Sequence, residues 1–142
     1  AVYGLALCYH YTHEEAILPL FERVTKYFID HLPEDYVPYW DLIFSDGSCE
    51  PRDTSAAAIA ACGILEMEKY YHNQEFLDIA KKMMSSLSEK YTTVDYLQSN
   101  GIIKDGMYSR KHGHKSECTS WGDYFYLEAL MRMKKSDWKI YW

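Results

Sequence analysis

A chain of 142 residues has the size of one ordinary domain and can bury about two-thirds of its unfolded surface. Hydrophobic residues make up 48% and charged residues 25%, the balance of a globular protein, and no apolar run approaches the roughly 20 residues that cross a bilayer. The net charge of −6, without any basic stripe, argues against nucleic acid as a main partner and leaves room for small anions met by a few local cations.

In chain order, the opening "AVYGLALCYHYT" places Val2, Leu5, Ala6 and Tyr9 at helical spacing, so the chain is expected to enter already inside a helix. Two readings stay open from this: a short independent protein, or the back part of a longer one. Ile17, Phe21, Val24 and Phe28 form the stripe of a second, amphipathic helix. Thr12-x-x-Glu15 reads as a capping box, but Pro19 would then fall beyond the first turn, so the helix is expected to begin later than the box implies. A long connection follows over 32–52. Asp53 is then a natural N-cap for "TSAAAIAACGIL", a helix small and apolar nearly all round and therefore buried on several sides. The next helix is amphipathic, with Phe76, Ala80, Met83 and Leu87 on one face and Lys81, Lys82 and Glu89 toward water. After a second long connection, 92–120, the run "TSWGDYFYLEALMRM" supplies a third buried helix.

Gly4, Gly63 and Gly122 recur at intervals of 59 residues, and the stripe from Ile17 to Phe28 repeats at the same interval from Phe76 to Leu87. Helical hairpins in constant register define a repeat architecture. With buried inner and amphipathic outer helices, the expected fold is all-α, part of an α/α toroid. Close helix packing is the expected reason for the glycines, since each costs about 1 kcal/mol inside a helix. Two hairpins and one further helix do not close a ring, so apolar edges would be exposed, which favours the reading as part of a longer protein.

Both long connections lead into an inner helix at the same end of the array, where a site is expected. In the first, Tyr39-Trp40-Asp41 sets an aromatic platform beside a carboxylate, suited to stacking and hydrogen-bonding a sugar; a Trp plugging the loop onto the core fits equally. Arg52 is placed to pair with an acid or an anionic substrate. In the second, Tyr108, Ser109, Arg110, Lys111, His112, His114 and Lys115 form a cationic, hydrogen-bonding strip that could meet a carboxylate or sulfate, or simply be solvated. His112-x-His114 lacks a third ligand at helpful spacing, so no metal is expected. Trp121 and Asp123 open the third inner helix beside this strip. His10, His13 and His72 fall at the far end and are expected in solvent. Four cysteines without a C-x-x-C pair point to a reducing cytoplasm, with Cys8 and Cys62 as buried thiols. No pair of acids can be selected from Asp41, Asp46, Asp53, Asp105 and Asp123, and no nucleophile–base set is present.

The stretches "AVYGLALCYHYT", "YFIDHLPEDYVPYWD", "PRDTSAAAIAACGILE" and "CTSWGDYFYLEALMR", spread over nearly the whole chain, resemble the unsaturated glucuronyl hydrolases of glycoside hydrolase family 88. The resemblance implies an (α/α)6 barrel and an activity that releases Δ4,5-unsaturated uronic acid from the non-reducing end of oligosaccharides left by polysaccharide lyases, of glycosaminoglycan type. The implied reaction is hydration of a vinyl ether: an Asp protonates C4, water adds at C5, and the hemiketal falls apart, with no metal or organic cofactor. The family's two key aspartates and its R-G-Q-x-W motif lie upstream of anything matched here, so residues 1–142 are expected to be the C-terminal part of a single catalytic domain whose N-terminal part is missing. No catalytic residue is then assigned in this chain, and the fragment alone is expected to be inactive. The expected share is substrate binding by Tyr108, Ser109, His112, His114, Trp121 and Trp40. The family's Ser-x-x-Ser-x-Lys pattern, used by members that prefer sulfated disaccharides, is matched here by Ser109-x-x-His112-x-His114 in its serine only. An unsaturated uronyl oligosaccharide is the expected partner, for a monomer or homodimer. An unsaturated rhamnogalacturonyl hydrolase and a non-catalytic helical-repeat binding module are the alternatives.

Overall fold

The computed structural model describes residues 1–110, 117–135 and 137–141. Five helices follow in order: α1 (Val2–Thr12), α2 (Ile17–Asp30), α3 (Thr54–Met67), α4 (Gln74–Lys90) and α5 (Ser120–Lys134). Among the described residues no strand forms, only isolated antiparallel pairings of Tyr39 with Arg52, Thr92 with Ile103 and Gly106 with Glu117.

Helix α3 sits in the middle, against α1 on one side, α5 on the other and α4 behind, while α2 packs on α1. The small side chains of "SAAAIAACGIL" explain this placement. Ala57, Ala58, Ala61 and Cys62 are fully buried, so α3 can be surrounded without cavities or clashes. The outer helices bury one stripe each: Phe21 and Thr25 on α2, and Phe76, Ala80, Met83, Met84 and Leu87 on α4. Phe21 meets Phe76 edge to face, with ring centroids 6.4 Å apart, and joins the two outer helices. The result is two layers, α1–α3–α5 inside and α2–α4 outside, as an α/α-toroid segment requires.

Helix α2 starts at Ile17, which puts Pro19 in the first turn, where its missing N–H costs nothing. Thr12 does not cap α2: its hydroxyl donates to the Cys8 carbonyl at 2.7 Å and closes α1 instead.

The 59-residue interval holds for the outer helices, since α2 shifted by 59 residues falls over 76–89, inside α4. It does not hold for the inner ones. Helices α3 and α5 begin at Thr54 and Ser120, 66 residues apart, so the recurrent glycines occupy different turns. They also do different work. A Cβ on Gly63 would come within 2.7 Å of the Tyr3 backbone, so this glycine lets α1 and α3 touch. A Cβ on Gly122 would lie 2.7 Å from the Thr119 hydroxyl that caps α5, and one on Gly4 would meet nothing within 4 Å. Close helix packing therefore accounts for Gly63, local capping for Gly122, and neither for Gly4.

Where α1, α3 and α5 converge, a charged cluster is buried. Arg132 donates from Nε to Glu128 Oε1 at 2.8 Å, from Nη2 to the Tyr3 hydroxyl at 3.1 Å, and from Nη1 to Glu66. The Tyr3 hydroxyl donates to Glu128 at 2.7 Å, and Lys69 donates to Glu66 Oε2 at 2.8 Å. His10 is part of this cluster rather than a solvent residue: its Nδ1 lies 2.9 Å from Glu66 and 2.7 Å from the Tyr70 hydroxyl. His13 and His72 are exposed. Of the thiols, Cys62 is buried and Cys8 is exposed, because Cys8 falls on the face of α1 turned from α3. Burial pushes the Cys62 thiol and the Tyr3 hydroxyl far up, so both stay protonated.

Burial would raise the Glu66 carboxyl, but hydrogen bonds from Lys69 and Arg132 outweigh it and hold the group below the usual carboxylate range. A folded-state pKa below the unfolded value of about 4.3 means that Glu66 stabilises the fold above that pH, and that this contribution is lost as pH falls through the depressed value. Urea unfolding of the full chain between pH 6 and about pH 3 is expected to show this loss. In Glu66→Gln the same curve should start lower and run flatter.

Candidate functional site

The N-terminal ends of α3 and α5 carry the two long connections, and their first residues are spent on holding those connections in place. Asp53 caps α3, accepting from the N–H groups of Ser55 at 3.1 Å and Ala56 at 3.4 Å and from the Ser55 hydroxyl at 2.6 Å. The same oxygen also accepts from Met107 N–H at 3.3 Å. Asp123, in the first turn of α5, accepts from Ile102 N–H at 2.9 Å and Ile103 N–H at 3.0 Å. Thr54 adds a hydroxyl bond to the Lys104 carbonyl at 2.8 Å. The second connection is thus tied to both inner helices along 102–107.

The first connection is built around Arg52. Its guanidinium lies 4.0 Å over the Tyr39 ring, donates to the Val37 carbonyl at 2.9 Å, and sits 3.5 Å from Asp35 and 3.6 Å from Asp46. Tyr91 donates to Asp35 at 2.7 Å. Asp41 turns onto its own loop, accepting from Ile43 N–H at 3.1 Å. Of Tyr39-Trp40-Asp41, therefore, Tyr39 is buried under Arg52 and Asp41 closes a turn. Only the Trp40 ring is offered to the outside.

Trp40 is 37% exposed, and its indole N–H donates to Glu50 Oε2 at 2.8 Å. Glu50 Oε2 accepts a second bond, from Arg110 Nε at 3.1 Å. The two donors, Trp40 first, hold the Glu50 carboxyl below its usual range. Two residues before Arg110, the exposed ring of Tyr108 meets the Trp121 ring at 5.9 Å, tilted by 49°. Trp121 is anchored by its own N–H, which donates to Ser55 Oγ at 3.2 Å.

The residues singled out in the sequence therefore divide. Trp40, Tyr108 and Trp121 are brought to one end of the helical layer as partly exposed rings. Ser109 stands between Tyr108 and Arg110, half-buried. His112 and His114 lie outside the described residues. Glu50 and Ser55, which fix two of the three rings, carried no spacing or motif signal in the sequence. A surface of aromatic rings with fixed hydrogen-bonding tips beside an Arg suits a sugar carrying an anionic group. Among the described residues no group of three or more His, Cys, Asp or Glu is arranged to hold a metal, and no helix is long and apolar enough to cross a membrane. The cleft of about 460 Å³ between α1, α2 and α3 is lined by Val2, Tyr3, Val24, Phe28, Ile59 and other apolar side chains, and offers no such chemistry.

No family model matches the chain. Two curated proteins named unsaturated chondroitin disaccharide hydrolase do: one from Streptococcus pneumoniae strain ATCC BAA-255 / R6, 45% identical, and one from Streptococcus agalactiae serotype III strain NEM316, 43% identical, each over 99% of this chain. The chain spans 37% of the length of each. Among solved structures, a mutant unsaturated glucuronyl hydrolase from Streptococcus agalactiae, complexed with dGlcA-GalNAc6S, superposes with a TM-score of 0.93 at 43% identity, covering 99% of this chain and 39% of that one. The class follows from fold and likeness together: the chain folds as a stretch of an α/α toroid, the fold of the solved structures it superposes on. Over the stretch it spans, its particular likeness is to the unsaturated glucuronyl hydrolases, the name its relatives and structural neighbours carry.

Proposed function

We propose that these residues are the C-terminal portion of a single (α/α)6-barrel domain that releases Δ4,5-unsaturated uronic acid from the non-reducing end of lyase-generated, glycosaminoglycan-type oligosaccharides. The observation that carries this reading is the 43% identity, across 99% of the chain, to a hydrolase whose structure holds an unsaturated disaccharide. The reaction is addition of water across a vinyl ether, with the proton going to C4 and the hydroxyl to C5, followed by collapse of the hemiketal. It balances without an oxidant or reductant.

In this reading the chain supplies scaffold and one wall of the substrate site. Trp40, Tyr108 and Trp121 offer faces on which sugar rings lie, while Ser109, His112 and His114 belong to the strip that meets their polar or anionic substituents. None of these is the acid. Asp53 and Asp123 each give one oxygen to helix ends and loop backbone, and Asp41 one to its own turn. The resemblance places the proton donor in the part of the family outside the stretch matched by this chain. A monomeric or homodimeric enzyme of the cytoplasm completes the proposal.

The test compares the 142 residues with a chain extended upstream, both given unsaturated chondroitin disaccharide and followed by loss of the ultraviolet absorbance of the 4,5 double bond. Turnover is expected from the extended chain and not from the 142 residues. Turnover by the short chain would overturn the placement of the acid, and an inert extended chain would overturn the activity.

A further inference from the structure

We infer that Glu50 is a positioning residue which sets the Trp40 ring and the Arg110 guanidinium as one binding edge for a sugar bearing an anionic substituent, a carboxylate or a sulfate. This inference deepens the function proposed above and rests on it.

The argument starts from one oxygen. Glu50 Oε2 takes the indole N–H of Trp40, ten residues earlier, and Nε–H of Arg110, sixty residues later, so a single carboxylate joins the two long connections at their outer surface. On the first side it fixes the Trp40 ring, whose backbone N–H is already held by the Pro51 carbonyl at 3.0 Å and whose ring leans on Phe44 at 5.7 Å. With both backbone and indole N–H bound, the ring has one orientation, and its exposed face is set.

On the second side the choice of donor matters. A guanidinium has five N–H groups in a planar fork, and the edge carrying its two terminal nitrogens is the one that grips a carboxylate or sulfate through two bonds. Glu50 binds Arg110 through Nε, and among the described residues the Nη groups meet no acceptor. The Arg110 side chain is 44% exposed, so this fork is accessible to a ligand. Stability does not explain the arrangement, because an exposed ion pair adds little to a fold. Orientation does: without Glu50, a flexible Arg in a chain of net charge −6 would have other carboxylates to choose from.

The experiment uses the complete protein that carries this chain, with the variants Arg110→Met, Glu50→Ala, Glu50→Gln and the double variant Glu50→Ala/Arg110→Met. Two unsaturated disaccharides that differ only in one sulfate are the probes, with KM, kcat, calorimetric Kd and unfolding measured for each variant. Arg110→Met is expected to raise KM and Kd about tenfold, the effect of one charged hydrogen-bonding contact, with kcat within twofold. Glu50→Ala should do nearly the same, the double variant should be no worse than the worse single one, and Glu50→Gln, which keeps an acceptor for Trp40, should fall between. An effect confined to the sulfated sugar identifies the anion as the sulfate, and an equal effect on both identifies it as the uronate carboxylate. Unchanged KM and Kd in Arg110→Met would overturn the inference. So would additive single effects, or effects that follow loss of folded protein. A wild type that binds without turnover would overturn the proposed activity while leaving the Kd series to decide this inference; a wild type that binds neither sugar overturns both.

Discussion

Replacing Arg132 by Met is expected to destabilise the fold by about 3–5 kcal/mol, read as a lowered midpoint in urea unfolding of the full chain. The side chain sits between two carboxylates that are themselves buried, Glu66 at 0% and Glu128 at 4% exposure. Methionine fills much of the same volume, so the cost is electrostatic rather than a cavity. The two acids are not equally affected. Glu66 keeps Lys69 at 2.8 Å, whereas Glu128 keeps only the neutral hydroxyl of Tyr3 among the partners described above. Glu128 would then be a buried carboxylate without a counter-charge, which is the larger part of the cost. A triple variant, Glu66→Leu/Glu128→Leu/Arg132→Met, should recover much of the loss, because it removes the three buried charges together and leaves Lys69, 29% exposed, to water. A full deficit in the triple variant would show that shape, not charge, holds this junction.

Gly63→Ala is the second large effect, and it opposes a helical preference. Inside a helix Ala is favoured over Gly by about 1 kcal/mol. Here the new Cβ would stand 2.7 Å from the Cα and N of Tyr3 and 2.9 Å from the carbonyl carbon of Val2, all of them backbone. No side chain can rotate away, so α1 must move off α3 or the helices must distort, at about 1–3 kcal/mol. The steric cost outweighs the propensity gain, and the variant should unfold at a lower urea concentration than the parent. Gly4→Ala, on the same helix pair, is the control. Nothing lies within 4 Å of the added atom, so this change should raise stability by up to about 1 kcal/mol.

This contrast shows where reading the sequence succeeds and where it stops. The helices were legible because apolar spacing is imposed by burial: the stripe Phe76, Ala80, Met83 and Leu87 is buried along α4, with Met84 and Ser86 beside it. The inner layer was legible from the all-round apolar character of α3. The glycine interval, by contrast, is a similarity of letters. Equal spacing along the chain does not carry equal position along the helix when the connections between hairpins differ in length. The buried cluster of Tyr3, Glu66, Glu128 and Arg132 was not legible for a related reason. Each residue alone suits a solvated helix face, and only the packing of three helices from opposite ends of the chain turns them inward together.

At the candidate site, the residue types were readable and their orientation was not. Trp40 and Tyr108 stood out as rings in polar loops and Trp121 as a ring opening a helix; all three are partly exposed, Tyr108 and Trp121 meet at 5.9 Å, and Trp40 is joined to the second connection through Glu50 and Arg110. Tyr39 and Asp41, their neighbours in sequence, go to Arg52 and to a turn, because bonding within a loop depends on its backbone path rather than on composition. Asp53 was readable as a cap from its place before "TSAAAIA", and its bonds to Ser55 and Ala56 follow from that. Its further bond to Met107 has no local signature, since its partner lies 54 residues away.

That bond, with those of Asp123 to Ile102 and Ile103, sets which parts of the second connection can vary in length between relatives. Residues 102–107 are measured against two helix ends at once, so inserting or deleting one residue there would pull a cap off its helix. Residues 94–100 carry no such double attachment: they form successive local turns, with Val94 74% and Leu97 96% exposed. Insertions and deletions should accumulate in that outer bend while the wall of rings beside it keeps its gauge.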